Sequence, residues 1–126
     1  MVKMKQQDKE LVLKDICSRL PYGVKCQFED TIETIKEIWF CEDESWQVDG
    51  EKTSTCIHAV KPYLFPLSSM TEEQSQIYHE LVGGMFGTNV LINLEYLTDF
   101  FNKNHVDWRG LIPMGLALDA TNKNIY

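Results

Sequence analysis

Ile35-Lys36-Glu37-Ile38-Trp39-Phe40-Cys41-Glu42-Asp43-Glu44-Ser45-Trp46-Gln47-Val48-Asp49-Gly50 is the stretch that decides the fold. Ile35 to Phe40 is dense in β-branched and aromatic residues, which fit the pleated surface of a strand. Glu42 to Ser45 is polar enough to turn the chain. Trp46 to Val48 reads as the next strand, and Asp49-Gly50 is a strong hairpin signal because both residues tolerate positive φ. Outward from this stretch, Val24, Cys26 and Phe28 alternate with Lys25 and Gln27, as in a half-buried strand. Cys56 to Val60 supplies a fourth strand before Lys61-Pro62. Short strands joined by tight turns predict a small antiparallel sheet or a partly open barrel.

Helical spacing brackets this β region. Asp8 is placed to cap a helix with Val12, Leu13, Ile16, Cys17 and Leu20 on its apolar face, and Pro21-Tyr22-Gly23 stops it. Pro62 to Pro66 holds Tyr63, Leu64 and Phe65 in an extended connector across the sheet, or alternatively in an exposed docking strip. Ser69 with Glu72 and Thr71 with Gln74 both have capping-box spacing, ahead of a stripe of Ile77, Tyr78, Leu81 and Val82 that Gly83-Gly84 closes. After a flexible joint from Gly83 to Thr88, Asn93 is expected to cap a third helix with Leu94, Leu97, Phe100 and Phe101 inward, ending near Asn104. Leu111 to Ala120, with Pro113 and two glycines, reads as loop and short strand. The expectation is one α+β domain over 1–126, mainly β over 24–61 and mainly helical over 69–105, with a further helix at its N-terminus.

A chain of 126 residues that is 44% hydrophobic and 25% charged has the composition of a globular domain with one core. No apolar run approaches the roughly 20 residues of a membrane span. Met1 to Glu10 is too polar for a secretory signal, so a cytoplasmic location is expected. Cys17, Cys26, Cys41 and Cys56 form no C-x-x-C pair and read as small buried hydrophobes rather than zinc ligands or a dithiol. Neither a metal nor a cofactor is expected, because His58 and His79 lack a second ligand at metal spacing and the phosphate-cradling glycine loops are missing.

Net charge is −7, and Glu29, Asp30, Glu33, Glu37, Glu42, Asp43, Glu44, Asp49 and Glu51 stand against the single base Lys36 in their stretch. Such a surface repels nucleic acid. It is either a solvated face or, more sharply, an imitation of a nucleic-acid backbone that occupies a basic groove on another protein.

The polar cluster best suited to chemistry is His105, Asp107 and Arg109 around Trp108. In an extended segment residues i, i+2 and i+4 share a face, so imidazole, carboxylate and guanidinium could converge. Arg109 would hold a phosphate while His105, oriented by Asp107, acts as acid or base, the arrangement of a small phosphate-ester-processing enzyme. The structural alternative has His105 capping the preceding helix, Asp107 paired with Arg109 and Trp108 anchoring the loop. For ligand binding the candidates are Arg109, Trp108, His105, Lys61 and Tyr63. Three tryptophans, five tyrosines and six phenylalanines are generous for this length and fit an interface, a homo-oligomer included.

Three strings carry a resemblance: Leu13-Lys14-Asp15-Ile16-Cys17-Ser18-Arg19-Leu20-Pro21-Tyr22-Gly23-Val24, Val60-Lys61-Pro62-Tyr63-Leu64-Phe65-Pro66-Leu67-Ser68-Ser69-Met70-Thr71-Glu72-Glu73, and Phe100 to Asp119. Together they resemble a group of small uncharacterised proteins of gut Bacteroidetes and of their phages and prophages. Members of that group tend to end in an acidic tail with glycine or proline, whereas Ala120 to Tyr126 does not. The resemblance implies a setting, a phage or mobile-element accessory protein in a bacterial cytoplasm, and no catalytic residue. The resulting expectation is a non-catalytic protein that binds a host protein or sequesters a small anionic ligand such as a nucleotide immune signal, in an anti-defence role. A nucleic-acid mimic and the phosphate-ester enzyme are the alternatives.

Overall fold

The computed structural model of the protein describes residues 5–83 and 90–126. Helix α1, Gln6–Arg19, buries Val12, Asp15, Ile16 and Arg19, four positions on one face of a helix of 3.6 residues per turn. Its N-cap is Lys5, which makes no side-chain cap. The expected cap Asp8 lies inside the first turn, where its charge suits the helix dipole instead. Cys17, expected inward, is exposed, because the buried stripe runs through its neighbour Ile16. A 3-10 turn at Leu20–Tyr22 and Gly23 at φ 71° end the helix where Pro21 and Gly23 predict.

Seven strands follow: β1 Lys25–Gln27, β2 Ile32–Thr34, β3 Glu37–Phe40, β4 Trp46–Asp49, β5 Ser54–Cys56, β6 Lys61–Leu64 and β7 Leu118–Asp119. The mixed α+β class with an N-terminal helix is as expected, but the strands form two sheets, and neither closes into a barrel. One has the order β2-β1-β6-β7 and the other β3-β4-β5. Val24, Cys26, Phe28, Val48, Val60 and Leu64 join Val12 and Ile16 in one core, each apolar side chain contributing about 1.5–3 kcal/mol when fully buried.

Two strand expectations are corrected, and one strand is unanticipated. β2 forms within an acidic, threonine-rich segment, where the Glu33 carboxylate takes four hydrogen bonds from Thr31, Lys52 and Thr53. The expected strand from Cys56 to Val60 is split, with β5 ending at Cys56 and a 3-10 turn taking Ile57–Ala59. The Pro62 connector is itself strand β6, inside its sheet between β1 and β7. Proline is tolerated because Cys26, its partner in register, directs its backbone towards β2, so the missing N–H breaks no rung with β1.

Glu33 on β2 ties the two sheets together. Its carboxylate accepts the amides of Lys52 at 2.6 Å and Thr53 at 3.0 Å and the hydroxyls of Thr31 and Thr53. Those hydroxyls, Thr31's first, hold the carboxyl down to about 2. Gly50 belongs to the same clasp. A Cβ there would stand 2.5 Å from Glu33 Oε1 and 3.0 Å from the Phe28 ring, so this glycine supplies space rather than positive φ.

Helix α2, Glu72–Gly83, starts with a reciprocal capping box: Thr71 N–H donates to Gln74 Oε1 at 2.9 Å and Gln74 N–H to Thr71 Oγ1 at 3.1 Å. Ser69 bonds the Pro66 carbonyl instead of forming the second box. None of the expected stripe is fully buried, and Ile77 is exposed. Helix α3, Val90–Lys103, begins before Asn93, which therefore is not its cap. Phe101 is buried as expected, Leu97 and Phe100 are half-buried and Leu94 is exposed. The expected joint falls, beyond Gly83, outside the described residues.

Candidate functional site

The segment after α3 is built on a left-handed helix cap. His105 has φ 55°, its N–H donates to the Asn102 carbonyl at 3.2 Å, and Val106 N–H donates to the Phe101 carbonyl at 2.9 Å. This is a Schellman closure with histidine where glycine is usual. The loop then docks beside β6: Phe65 N–H bonds the His105 carbonyl and Asp107 N–H the Phe65 carbonyl, each at 2.8 Å.

A left-handed residue at 105 and a turn at Trp108 break the extended geometry that would have put His105, Asp107 and Arg109 on one face. Each has its own partners. Asp107 is buried and accepts the amides of Leu111 at 2.8 Å and Ile112 at 2.9 Å, closing the next turn rather than pairing with Arg109. Arg109 reaches α1, where its Nη1 donates to Asp15 Oδ1 at 2.7 Å, and its guanidinium lies 4.1 Å from the Trp108 ring centroid. His105 stacks on Tyr126, with centroids 3.9 Å apart and planes within 14°.

Asp15 is the hub. Arg19, one turn on, gives it a two-pronged bond at 3.0 Å and 3.0 Å, and both side chains are fully buried. The rest of the Arg19 guanidinium donates to the carbonyls of Val106 at 2.7 Å and Phe101 at 3.3 Å. Arg19 thus ties α1 to the last turn of α3 and to the loop that follows it. Ser18 and Asn102 complete the junction, with Trp108 Nε1 donating to Asn102 Oδ1 at 3.1 Å. Asp15 and Arg19 escaped sequence reasoning, although opposite charges one turn apart on the face of Val12 and Ile16 were the available signal.

Tyr126 also escaped it. Its hydroxyl accepts Lys25 N–H at 2.8 Å and donates to the Tyr63 carbonyl at 2.7 Å, bridging a rung where β1 and β6 part beyond Pro62. Burial pushes that phenol up. Burial, with the charge of Arg19 second, draws His105 down to about 4 against a pull from the Tyr22 carbonyl, so the imidazole is neutral near pH 7. Its Nδ1 has no partner. The ligand candidates divide accordingly: Tyr63 is buried with its hydroxyl on Gln27, Arg109 is held by Asp15, and Lys61 is exposed.

Neither of two grooves on the surface of the described residues is lined by His105, Asp107 or Arg109. The more enclosed, of about 180 Å³, lies between α1 and the β3–β4 loop, with Lys9, Glu10, Trp46 and His58 on its walls. Ligand pockets usually have about 300–1,000 Å³.

Two residues of the acidic stretch are engaged within the fold. Glu33 is consumed in the clasp, and Asp49 accepts Trp39 Nε1 at 3.0 Å. Glu42, Asp43 and Glu44 sit in the β3–β4 loop, while Glu37 and Asp49 pair at the other end of the two strands, roughly 10 Å away at strand rise. The same hairpin carries Trp39, Phe40 and Trp46 at 43%, 48% and 38% exposure.

Among the described residues no group of three or more His, Cys, Asp or Glu could hold a metal ion, and no helix is long and apolar enough to cross a membrane. Comparison with known proteins finds no matching family model, no matching curated protein and no matching solved structure.

Proposed function

We propose that this chain is a non-catalytic binding protein that acts by engaging another polypeptide. In the setting the resemblance implies, that polypeptide is a host protein of a bacterial cytoplasm and the role is anti-defence. The observation that carries the reading is the exposure of Trp39, Phe40 and Trp46 on one short hairpin. Large aromatics are enriched where proteins meet.

The competing readings have less support. An enzyme using His105, Asp107 and Arg109 needs them in one cavity, and each is engaged separately. A sequestered nucleotide needs more room than the α1 groove gives, the shallower groove along α2 is walled by Glu72 and Glu80, and Arg109 is already engaged by Asp15. A nucleic-acid mimic needs its acidic groups free, and Glu33 is consumed in the clasp while Asp49 accepts the Trp39 indole.

Native mass spectrometry of the chain purified from cells that make it tests the reading. The expected result is a defined complex with a second kind of polypeptide. A bare chain, a homo-oligomer alone or a retained small anion would each overturn it.

A further inference from the structure

Ladder geometry fixes which backbone groups of β3 are free. Cys41 N–H donates to the Ser45 carbonyl at 2.8 Å, closing the β3–β4 loop, and Glu44 takes the left-handed position at φ 65°. Backbone groups alternate direction along a strand, so Cys41, Trp39 and Glu37 address β4. Ile38 and Phe40 therefore direct their N–H and C=O groups away from β4. β3 is the outermost strand of its sheet, and no backbone bond to Ile38 or Phe40 on that side occurs among the described residues.

Proteins usually guard such an edge with charge, proline or a bulge. Charge guards this edge at Glu37 and in its loop, and the aromatics beside it are held in place. Phe40 and Trp46 meet edge to face at 5.0 Å, and Trp39 is tethered to Asp49. Rings fixed in this way add contact area at little entropic cost.

Charge then selects the occupant. Glu37, Glu42, Asp43 and Glu44 are exposed along the strand and its loop, against Lys36 alone. A second copy is disfavoured, since antiparallel pairing of two β3 edges would bring Glu37 of each towards the acidic loop of the other. A basic segment meets the opposite sign.

We infer that the open edge of β3, flanked by Trp39, Phe40 and Trp46, is the docking surface for an extended, lysine- or arginine-bearing segment of a protein partner, which adds to the sheet as a further strand. Backbone bonding gives affinity, alternate side chains reach the aromatics, and the acidic loop sets the sign of charge. This inference rests on the reading of the chain as a protein-binding module.

The test titrates the full isotope-labelled chain with a peptide alternating lysine and valine, beside a matched peptide alternating glutamate and valine. Expected are shifted amides at Glu37–Phe40 and Trp46, slower hydrogen exchange at Ile38 and Phe40, and binding at least several-fold weaker between about 0.05 and about 0.5 M salt. The glutamate peptide should leave the spectrum unchanged. Trp39→Gln should weaken binding at least about tenfold while the remaining amide spectrum stays native, which separates lost docking from lost folding. Equal binding of both peptides, shifts confined to Ile77, Leu94 and Tyr96 on the helices, or no binding at all would each overturn the inference. A partner retained in native mass spectrometry despite that failure would leave the protein-binding reading standing, whereas absence of any partner there would remove its foundation.

Discussion

Around Asp15 the molecule buries charge and supplies it with partners, whereas on the β3–β4 hairpin it leaves aromatic area in water. In the first region two guanidiniums converge on one carboxylate, and the leftover N–H groups of Arg19 find the carbonyls of Phe101 in α3 and Val106 just beyond it. In the second, three large rings stay more than a third exposed beside an unpaired strand edge. The residues that look most chemical, a histidine, an aspartate and arginines, are thereby occupied in holding α1, α3 and the sheet together. The residues that look like core are the ones free to meet something else. Exposed aromatic rings on both faces of an unpaired strand edge are a stronger sign of function than a buried, satisfied charge.

The sharpest way to break this contrast is at Asp15. Asp15→Ala leaves Arg19 buried without its counter-charge and should cost about 3–5 kcal/mol in chemical denaturation. Asp15→Leu combined with Arg19→Met should recover much of that loss, since apolar replacements of buried ion pairs are often neutral. Partner binding by the double variant should survive. Its loss in a well-folded protein would move the functional site to this junction.

Tyr126→Phe comes next. It keeps the stack on His105 but removes the hydroxyl between Lys25 N–H and the Tyr63 carbonyl. Stranding those backbone groups should cost about 1–3 kcal/mol, read as a lower denaturation midpoint at an unchanged slope. An unchanged midpoint would mean that the Tyr126 hydroxyl adds nothing beyond the stack on His105 and the Ala120 N–H bond to the Leu64 carbonyl.

Acid should dismantle the packed region in two overlapping windows. His105 is lowered from 6.5 to about 4, so below pH 6.5 the unfolded chain binds more protons than the folded one, and stability falls as pH drops from 6.5 towards 4. Glu33 is lowered from 4.5 to about 2, so its contribution is complete above pH 4.5 and is lost as pH falls towards 2. His105→Asn, which tolerates the left-handed backbone, should flatten the upper window, and Glu33→Gln the lower one. Denaturation midpoints measured across this range check both slopes.

Much of this architecture was legible in the sequence, because periodicity and caps report local physics. Val12 and Ile16 of the α1 stripe, the Thr71–Gln74 box, the β3–β4 turn and the end of α3 all follow from a few neighbouring residues. Sequence reading failed where a distant partner overrides local preference. Pro62 reads as a connector until β1 is known to present Cys26 with its backbone turned the other way. Glu33 reads as surface charge until the turn at Lys52 and Thr53 folds over it. For the candidate site, the importance of 104–110 was visible but its geometry was not. A left-handed histidine redirects the chain, and Arg109 finds a carboxylate 94 residues away.

The smallest expected effect on stability is the most informative about function. Trp39→Gln removes an indole that is 43% exposed and one exposed hydrogen bond to Asp49, so the midpoint of unfolding should move by less than about 0.5 kcal/mol. Equilibrium denaturation measures that directly. A residue that matters little to folding yet remains a large aromatic in water is the reverse of Asp15, which folding cannot spare. If Trp39→Gln instead destabilised the chain by several kcal/mol, the indole would be a structural cover for the edge of β3. The hairpin would then join the packed region, and the contrast that supports a docking surface would be gone.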